Sequence, residues 1–139
     1  MSQTYRLNNS GQINRDKKIS FKFNGKKYFG YEGDTLASAL LANGVHLVGR
    51  SFKYHRPRGI YTCGIEEPNA LVQILNEHNE PNTRATVKKA YDGINISSQN
   101  RWPSLSFDIG SINNILSPIF SAGFYYKTFM GPKGFWKKI

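Results

Sequence analysis

The feature that most constrains the fold is the dipeptide Asn24-Gly25, which lies between two short segments of β-strand character. Asn-Gly suits the type I′ turn of a two-residue hairpin because both central residues of that turn need a positive φ. In residues 18–23 apolar and polar side chains alternate, which is typical of a half-buried strand. The apolar face of this strand consists of Ile19, Phe21 and Phe23. The sequence therefore predicts an antiparallel hairpin whose return strand covers residues 26–31, with Phe29 and Tyr31 facing inward.

A helix is predicted after the hairpin, over residues 34–43. Asp34 can accept hydrogen bonds from the free amides of the first turn, and Gly44 can adopt the left-handed conformation that ends a helix. The apolar residues of the segment recur at helical spacing and form one stripe, which consists of Leu36, Ala37, Leu40 and Leu41. We expect this stripe to pack against the sheet.

Two further strands are predicted beyond a long basic loop over residues 49–68. They cover residues 71–76, with Val72 and Ile74 on one face, and residues 84–89, with Ala85 and Val87 inward. A hairpin, a helix and then further strands is the element order of an α+β domain of the β-grasp class. Plant-type ferredoxins have this fold, so the sequence predicts a ferredoxin-like frame.

Changes of composition divide the chain into three parts. Residues 1–14 are polar and are predicted to be a flexible N-terminus, and residues 15–92 hold the predicted β-grasp domain. Residues 93–139 are rich in aromatic side chains but are interrupted by prolines and glycines, so no long helix is expected there. Because such a segment would expose a large apolar surface on its own, it is predicted to be an irregular C-terminal arm that docks on another surface.

The cysteine content argues against the cofactor that a ferredoxin frame usually carries. A plant-type [2Fe–2S] cluster is held by four thiolates, from a C-x₄-C-x₂-C run and one later cysteine, and Cys63 is the only cysteine in the chain. His46, His55 and His78 have no spacing that would replace the missing thiolates. We therefore expect no metal site and no cofactor bound by this chain, and we interpret Cys63 as a thiol without a ligand role.

The formal net charge of +10, from 19 Lys and Arg against 9 Asp and Glu, indicates an anionic partner or simply a solvated basic surface. Cations and aromatic side chains are interleaved in residues 50–58, here called the basic loop. This composition is typical of nucleic-acid binding. It suits contact with a cofactor-bearing protein domain equally well, because arginine pairs with carboxylates and phosphates. The candidate contact residues are Arg50, Lys53, His55, Arg56 and Arg58.

The adjacent carboxylates of Glu66 and Glu67 could suggest acid–base catalysis. Neighbouring side chains point in different directions in a strand or a helix, so two adjacent carboxylates do not converge on one substrate atom. A surface or loop-capping role is predicted for them instead, and no catalytic residue is predicted in the chain.

The sequence carries no membrane or secretion signal. No apolar run approaches the roughly 20 residues that a membrane-spanning helix needs, and the first residues are polar, unlike the apolar core of a secretory signal. A single cysteine allows no internal disulfide and is typical of a reducing compartment. The expectation is a cytoplasmic protein with no membrane partner.

Five segments, in order, closely resemble the N-terminal part of the α subunits of heterotetrameric sarcosine oxidases. They are GDTLASALLANGVHLVGRSFKYHRPRGI (33–60), EEPNAL (66–71), PNTRATV (81–87), NRWPSL (100–105) and LSPIFSAGFYYKTFM (116–130). The α subunits of amine and opine dehydrogenases have the same module, and some of them carry an iron–sulfur cluster. The cluster-ligand positions of those relatives fall near Thr62, Glu67, Ala70 and Thr86, none of which is cysteine.

The resemblance implies that the chain is a structural, docking module of a flavin-dependent oxidase and is not catalytic alone. The parent enzyme would oxidatively demethylate sarcosine, with tetrahydrofolate as acceptor of the one-carbon unit and oxygen as electron acceptor. Its implied cofactors are FAD, FMN, NAD and tetrahydrofolate. Its implied partners are the remainder of the α subunit and the other subunits of the oxidase.

Two other functions remain as alternatives. One is a free-standing basic module that binds nucleic acid, and the other is a [2Fe–2S] electron-transfer domain of an amine or opine dehydrogenase. The resemblance favours contact within the oxidase for the basic loop, so no nucleic-acid partner is expected.

Overall fold

The computed structural model describes residues 3–76 and 78–118. Residues 119–139, the C-terminal part of the aromatic arm predicted over residues 93–139, lie outside this described part. The strands and helices in chain order are β1 (Asn14–Phe23), β2 (Lys26–Glu32), α1 (Leu36–Ala42), β3 (Gly49–Arg50), β4 (Pro57–Arg58), β5 (Leu71–Ile74), β6 (Glu80–Arg84), β7 (Asn95–Ser98) and α2 (Ile112–Ile115). A 3₁₀ turn at Ile109–Ser111 leads directly into α2. None of the helices in residues 3–76 and 78–118 is long and apolar enough to cross a membrane.

The main sheet has five strands in the order β2-β1-β7-β5-β6. Strands β1 and β7 run parallel, and the other neighbouring strands are antiparallel. Buried apolar side chains of α1 join those of β1, β5 and β7 in one core. The chain is therefore a small mixed α+β domain, as predicted. Strands β3 and β4 form a separate antiparallel pair that holds the two ends of the basic loop together.

The hairpin of β1 and β2 has the predicted turn, since φ is 50° and 80° at the two residues of Asn24-Gly25. The predicted inward face of β2 is wrong. A two-residue turn pairs Phe21 directly with Tyr28, and directly opposed residues share a face of the sheet. Tyr28 therefore packs on the core, with ring centroids of the pair 5.9 Å apart. Phe29 and Tyr31 consequently lie on the opposite face.

Helix α1 begins later than predicted, because Thr35 rather than Asp34 is its N-cap. The Thr35 hydroxyl accepts a hydrogen bond from the Ser38 amide at 3.1 Å. The Asp34 carboxylate accepts instead from the Tyr31 amide at 2.9 Å and from the Ser38 hydroxyl at 2.8 Å. Gly44 has the predicted left-handed conformation, with φ 75°. The buried residues of the helix are Leu36, Ala37, Ala39, Leu40 and Ala42.

Strand β5 begins where predicted, with Val72 and Ile74 buried, but ends at Ile74 rather than at residue 76, and β6 lies earlier than the predicted strand over residues 84–89. Ala85 is buried just beyond the end of β6, whereas Val87 is 50% exposed. Strand β6 is mostly exposed and lies at the edge of the sheet, where it can accommodate Pro81. Hydrophobic alternation therefore could not locate it.

The predicted domain boundary between residues 92 and 93 has to be corrected, because the chain beyond it supplies β7 to the middle of the sheet. The Lys22 amide donates to the Ile94 carbonyl at 2.9 Å, and the Asn24 amide donates to the Ile96 carbonyl at 3.0 Å. Ile94 and Ile96 have no exposed surface. The sheet therefore extends to Ser98, and any arm begins after it.

The N-terminal segment also differs from the prediction of a flexible stretch over residues 1–14. Arg6 donates to both oxygens of the buried Asp34 carboxylate, at 3.0 and 2.7 Å. The Gln3 side chain donates to the Phe29 carbonyl at 2.7 Å. A bidentate arginine–carboxylate pair is among the stronger polar contacts in proteins, so this segment is attached to the domain ahead of β1.

Candidate functional site

The segment of residues 61–70, here called the Glu67 loop, closes around a buried carboxylate. Glu67 Oε2 accepts hydrogen bonds from the Tyr61 amide at 2.8 Å, from the Thr62 amide at 2.5 Å and from the Thr62 hydroxyl at 3.2 Å. Glu67 Oε1 accepts from the amides of Asn69 and Ala70, at 2.7 and 3.1 Å. The predicted loop-capping role is therefore confirmed for Glu67.

Backbone amides of the loop stabilise the negative charge of Glu67. Burial raises the pKa of this carboxyl, but hydrogen bonds from the loop amides outweigh burial, so the pKa lies below its ordinary value of 4.5. No salt bridge to Glu67 is present within residues 3–76 and 78–118. The group is consequently an ionised, buried carboxylate at neutral pH.

By the resemblance to the cluster-binding relatives, the Glu67 loop corresponds to their cluster loop, but its residues do not fit a [2Fe–2S] cluster. Thr62, Glu67 and Ala70 stand at the x₄ and x₂ spacing, and the fourth position, Thr86, donates its hydroxyl to the Gly64 carbonyl at 2.7 Å. None of the four is a thiol. No group of three or more His, Cys, Asp or Glu side chains in the described part of the chain could hold a metal ion.

Glu66 and Cys63 are exposed, unlike Glu67. The Glu66 carboxylate accepts a 3.2 Å hydrogen bond from the Gly64 amide. The two adjacent glutamates therefore differ in role, as expected for neighbouring side chains that point apart.

The basic loop is a closed hairpin. Its ends are paired as Gly49 with Arg58 and Arg50 with Pro57, in β3 and β4. Within it the Ser51 amide donates to the Arg56 carbonyl at 2.9 Å, and the Arg56 amide donates to the Ser51 hydroxyl at 2.9 Å. These contacts fix the backbone from which the candidate contact side chains extend.

Asp108 anchors the basic loop, although it was not among the predicted residues. Its Oδ2 lies 2.7 Å from His55 Nδ1 and 3.8 Å from Arg50 Nε. Its Oδ1 accepts from the amides of Trp102 and Gly110, at 3.0 and 3.1 Å. Burial raises the pKa of Asp108, but the Trp102 amide, His55 and the Gly110 amide together outweigh it, so the pKa lies below 3.8.

The five predicted contact residues of the basic loop have contacts within the chain. Arg50 donates to the carbonyls of Leu105 and His55, Arg56 Nε donates to Asn114 Oδ1 at 2.6 Å, and Arg58 Nη1 donates to Asn69 Oδ1 at 2.9 Å. The Lys53 carbonyl accepts from Asn113 Nδ2 at 3.2 Å. The structure thus brings Arg50 and His55 together at Asp108, turns Arg56 toward α2, and links Arg58 to the Glu67 loop.

An open groove of about 1170 Å³ lies between the basic loop and the outer face of the sheet. Its lining includes Leu71 and Gln73, which alternate with the buried residues of β5 and therefore face away from the core. Three arginines line it, Arg50, Arg58 and Arg101, and no Asp or Glu in residues 3–76 and 78–118 does so. The groove therefore has a positive potential and suits an anionic ligand or surface.

Two aromatic side chains border this arginine-lined groove, here called the basic groove. Phe52 is 86% exposed and Tyr61 is 80% exposed, and both line the groove beside the arginines. Exposed aromatic rings next to arginine are the side chains that contribute most at protein–protein contacts.

Arg101 and Asp108 were missed from sequence because they lie beyond the predicted domain boundary. The only local signal was Asp108 as an N-cap residue ahead of a helical turn.

Comparison with known proteins gives relatives over nearly the whole chain. The chain is 60% identical over 137 residues to sarcosine oxidase subunit alpha of Rhizobium meliloti (strain 1021), a match that covers 98% of this chain and 14% of that protein. It is 42% identical over 88 residues to sarcosine oxidase subunit alpha of Corynebacterium sp. (strain U-96), covering 60% of this chain and 9% of that protein. The chain thus spans only a small part of the length of these relatives.

A solved structure and a family model give the same domain type. The crystal structure of L-proline dehydrogenase from P. horikoshii matches with a TM-score of 0.52 and 31% identity, covering 64% of this chain and 17% of that one. The model of the 2Fe-2S iron-sulfur cluster binding domain family matches residues 16–101, which include all of the sheet except the first two residues of β1, together with α1 and the Glu67 loop. The chain therefore belongs to the 2Fe-2S iron-sulfur cluster binding domain family.

Proposed function

We propose that this chain is the N-terminal module of the α subunit of a flavin-dependent sarcosine oxidase, and that its role there is structural. The observation that carries the proposal is the 60% identity to a sarcosine oxidase α subunit over 98% of this chain but only 14% of that relative. Such a match supports a module within a longer subunit. The parallel pair of β1 and β7 and the helix across the sheet support a β-grasp frame of the plant-type ferredoxin kind.

In this proposal the oxidative demethylation of sarcosine, with its FAD, FMN, NAD and tetrahydrofolate, takes place elsewhere in the enzyme. The proposal assigns this chain no catalytic group, and it is supported by the buried carboxylates of the described residues, Asp34, Glu67 and Asp108, which are each held by donors of the chain itself. A cytoplasmic location belongs to the same proposal and is supported by the single, exposed cysteine.

The proposed docking surface is the basic groove together with the exposed face of the basic loop. Its partner would be an acidic surface of the remainder of the same α subunit. The argument is charge complementarity, since the groove has three arginines and no carboxylate among its described lining residues. Phe52 would provide the apolar centre of the contact, because it is 86% exposed at the groove.

The test is co-purification of this chain with the Rhizobium meliloti α subunit from which the matching segment has been deleted. The intact chain should be retained, and Arg58→Glu and Phe52→Ala should each weaken retention by about tenfold or more, since truncation at the centre of an interface costs at least 1 to 2 kcal/mol. Lys26→Glu is the matched control, because Lys26 is exposed at the hairpin, remote in sequence from the groove. Absence of retention of the intact chain would refute the proposal.

Unrelated duplex DNA should be measured with the same variants. Binding with a steep log–log salt dependence, weakened by Arg58→Glu, would assign the groove to phosphate contacts and replace docking within the subunit by nucleic-acid binding. The proposal predicts no such binding at physiological salt.

A further inference from the structure

We propose that the Glu67 carboxylate is a built-in anion that replaces the iron–sulfur cluster as the organising centre of the Glu67 loop. The inference rests on membership of the cluster-binding family and on the geometry of this loop, and it is independent of the sarcosine oxidase assignment. It makes the module a domain that keeps the cluster fold while its own side chain supplies the negative charge.

The first argument is the direction of the loop amides. Four backbone N–H groups, from Tyr61, Thr62, Asn69 and Ala70, converge on one carboxylate. Backbone N–H groups that point into one concavity form an anion site, and such concavities hold phosphates and iron–sulfur groups in other proteins. Here the anion belongs to the chain, because Glu67 comes from the same loop and is 1% exposed.

The second argument is the position of Glu67 in the cluster spacing. A plant-type cluster loop has its first three ligands in the spacing x₄ and then x₂, and the resemblance to the cluster-binding relatives lays these three positions on Thr62, Glu67 and Ala70. Glu67 is the middle member, and it accepts hydrogen bonds from both of the others. The carboxylate therefore joins the three positions on which the resemblance lays the first cluster ligands.

Without the negative charge of Glu67, the loop would lose the acceptor of its buried hydrogen-bond donors. The five donors to Glu67 comprise the four amides and the Thr62 hydroxyl, and no described cation forms a salt bridge with the carboxylate. A buried donor whose acceptor is removed keeps its desolvation cost. The Glu67 loop is thus expected to open when the negative charge is removed, even if the size of the side chain is kept.

The direct test is Glu67→Gln in the whole chain, with Glu66→Gln as the matched control. Both variants remove one carboxylate charge from the same loop, but only Glu67 is buried. Hydrogen exchange of the amides of Tyr61, Thr62, Asn69 and Ala70 should be faster in Glu67→Gln than in Glu66→Gln by about ten- to a hundredfold. Exchange of Ile96 in the centre of the sheet reports whether the domain as a whole remains folded.

A second variant separates the charge from the side chain. Glu67→Ala leaves the amides without an acceptor, and sodium acetate is the probe that can return a carboxylate to them. Acetate should raise the melting temperature of Glu67→Ala more than sodium chloride at equal ionic strength, and should not do so for the wild type. Equal exchange in the two Gln variants, or equal effects of acetate and chloride on Glu67→Ala, would overturn the proposal.

Discussion

His55 Nδ1 lies 2.7 Å from Asp108 Oδ2, although the two residues are 53 positions apart in the chain. The carboxylate side chain is fully buried and the imidazole is 20% exposed. His55 has a φ of 51°, an uncommon backbone conformation for a residue other than glycine. The contact therefore fixes the tip of the basic loop to the segment that follows the sheet.

We expect Asp108→Asn to destabilise the chain by about 1–3 kcal/mol, because the amide nitrogen that it introduces cannot accept the hydrogen bonds that Asp108 now accepts. Urea denaturation measures the change. The matched control is Asp16→Asn, whose carboxylate is exposed in β1. Equal free energies of unfolding of the two variants would show that the Asp108 carboxylate does not stabilise the fold.

Gly110 gives an independent test of the same anchor. A Cβ atom at Gly110 would collide with the His55 ring, which Asp108 holds in place. Gly110→Ala should therefore displace His55 from Asp108 and shift the NMR signals of the imidazole. Gly49→Ala is the control, because a Cβ atom there meets only ordinary contacts, the nearest at 3.6 Å. Unchanged His55 signals in Gly110→Ala would show that Gly110 does not pack against the His55 ring.

Acid should weaken the chain in part through Glu67. Its pKa in the folded chain lies below the ordinary 4.5, so its ionised form contributes stability above about pH 4.5, and this contribution is lost as pH falls through the lowered folded value. Charged neighbours of Glu67 include Glu66, which is adjacent in the sequence, and Arg58, whose guanidinium donates to Asn69 of the Glu67 loop. Below pH 4.5, the urea midpoint of the wild type should therefore decrease more with falling pH than the urea midpoint of Glu67→Gln does. Parallel pH profiles would exclude this role.

Strand β7 should be essential to the domain. Ile96→Ala removes a side chain with no exposed surface from the middle of the sheet and should cost about 2–5 kcal/mol. Ile115→Ala is the control, because Ile115 is 76% exposed, and it should change stability by less than about 0.5 kcal/mol. A loss below about 1 kcal/mol for Ile96→Ala would show that β7 is dispensable and would restore the boundary at residue 92.

The first half of the fold could be predicted from sequence because its signals are local. Asn24-Gly25 requires a particular turn, and the apolar stripe of α1 has a helical period. The prediction that Phe29 and Tyr31 face inward could have been avoided, since the two-residue turn alone pairs Phe21 with Tyr28. Strand β6 was misplaced and β7 was not predicted, because EPNTR and NISS carry too few apolar residues to show alternation.

The site depends on contacts that no local pattern encodes. Glu67 could be assigned to loop capping from sequence, but its four amide partners become visible only when the loop is closed. Asp108 meets His55 from 53 residues away, across a boundary that composition placed too early. Long-range pairing of this kind is decided by the packing of β7 and the segment after it.

The central claim is that this member of a cluster-binding family is complete without a cluster. The most direct measurement is the iron and sulfide content of the whole chain after anaerobic reconstitution with both. We predict a colourless, folded protein with no iron above background, because Cys63 is the only cysteine of the chain and Glu67 already fills the loop. One equivalent of a [2Fe–2S] cluster per chain, with visible absorbance, would contradict the account.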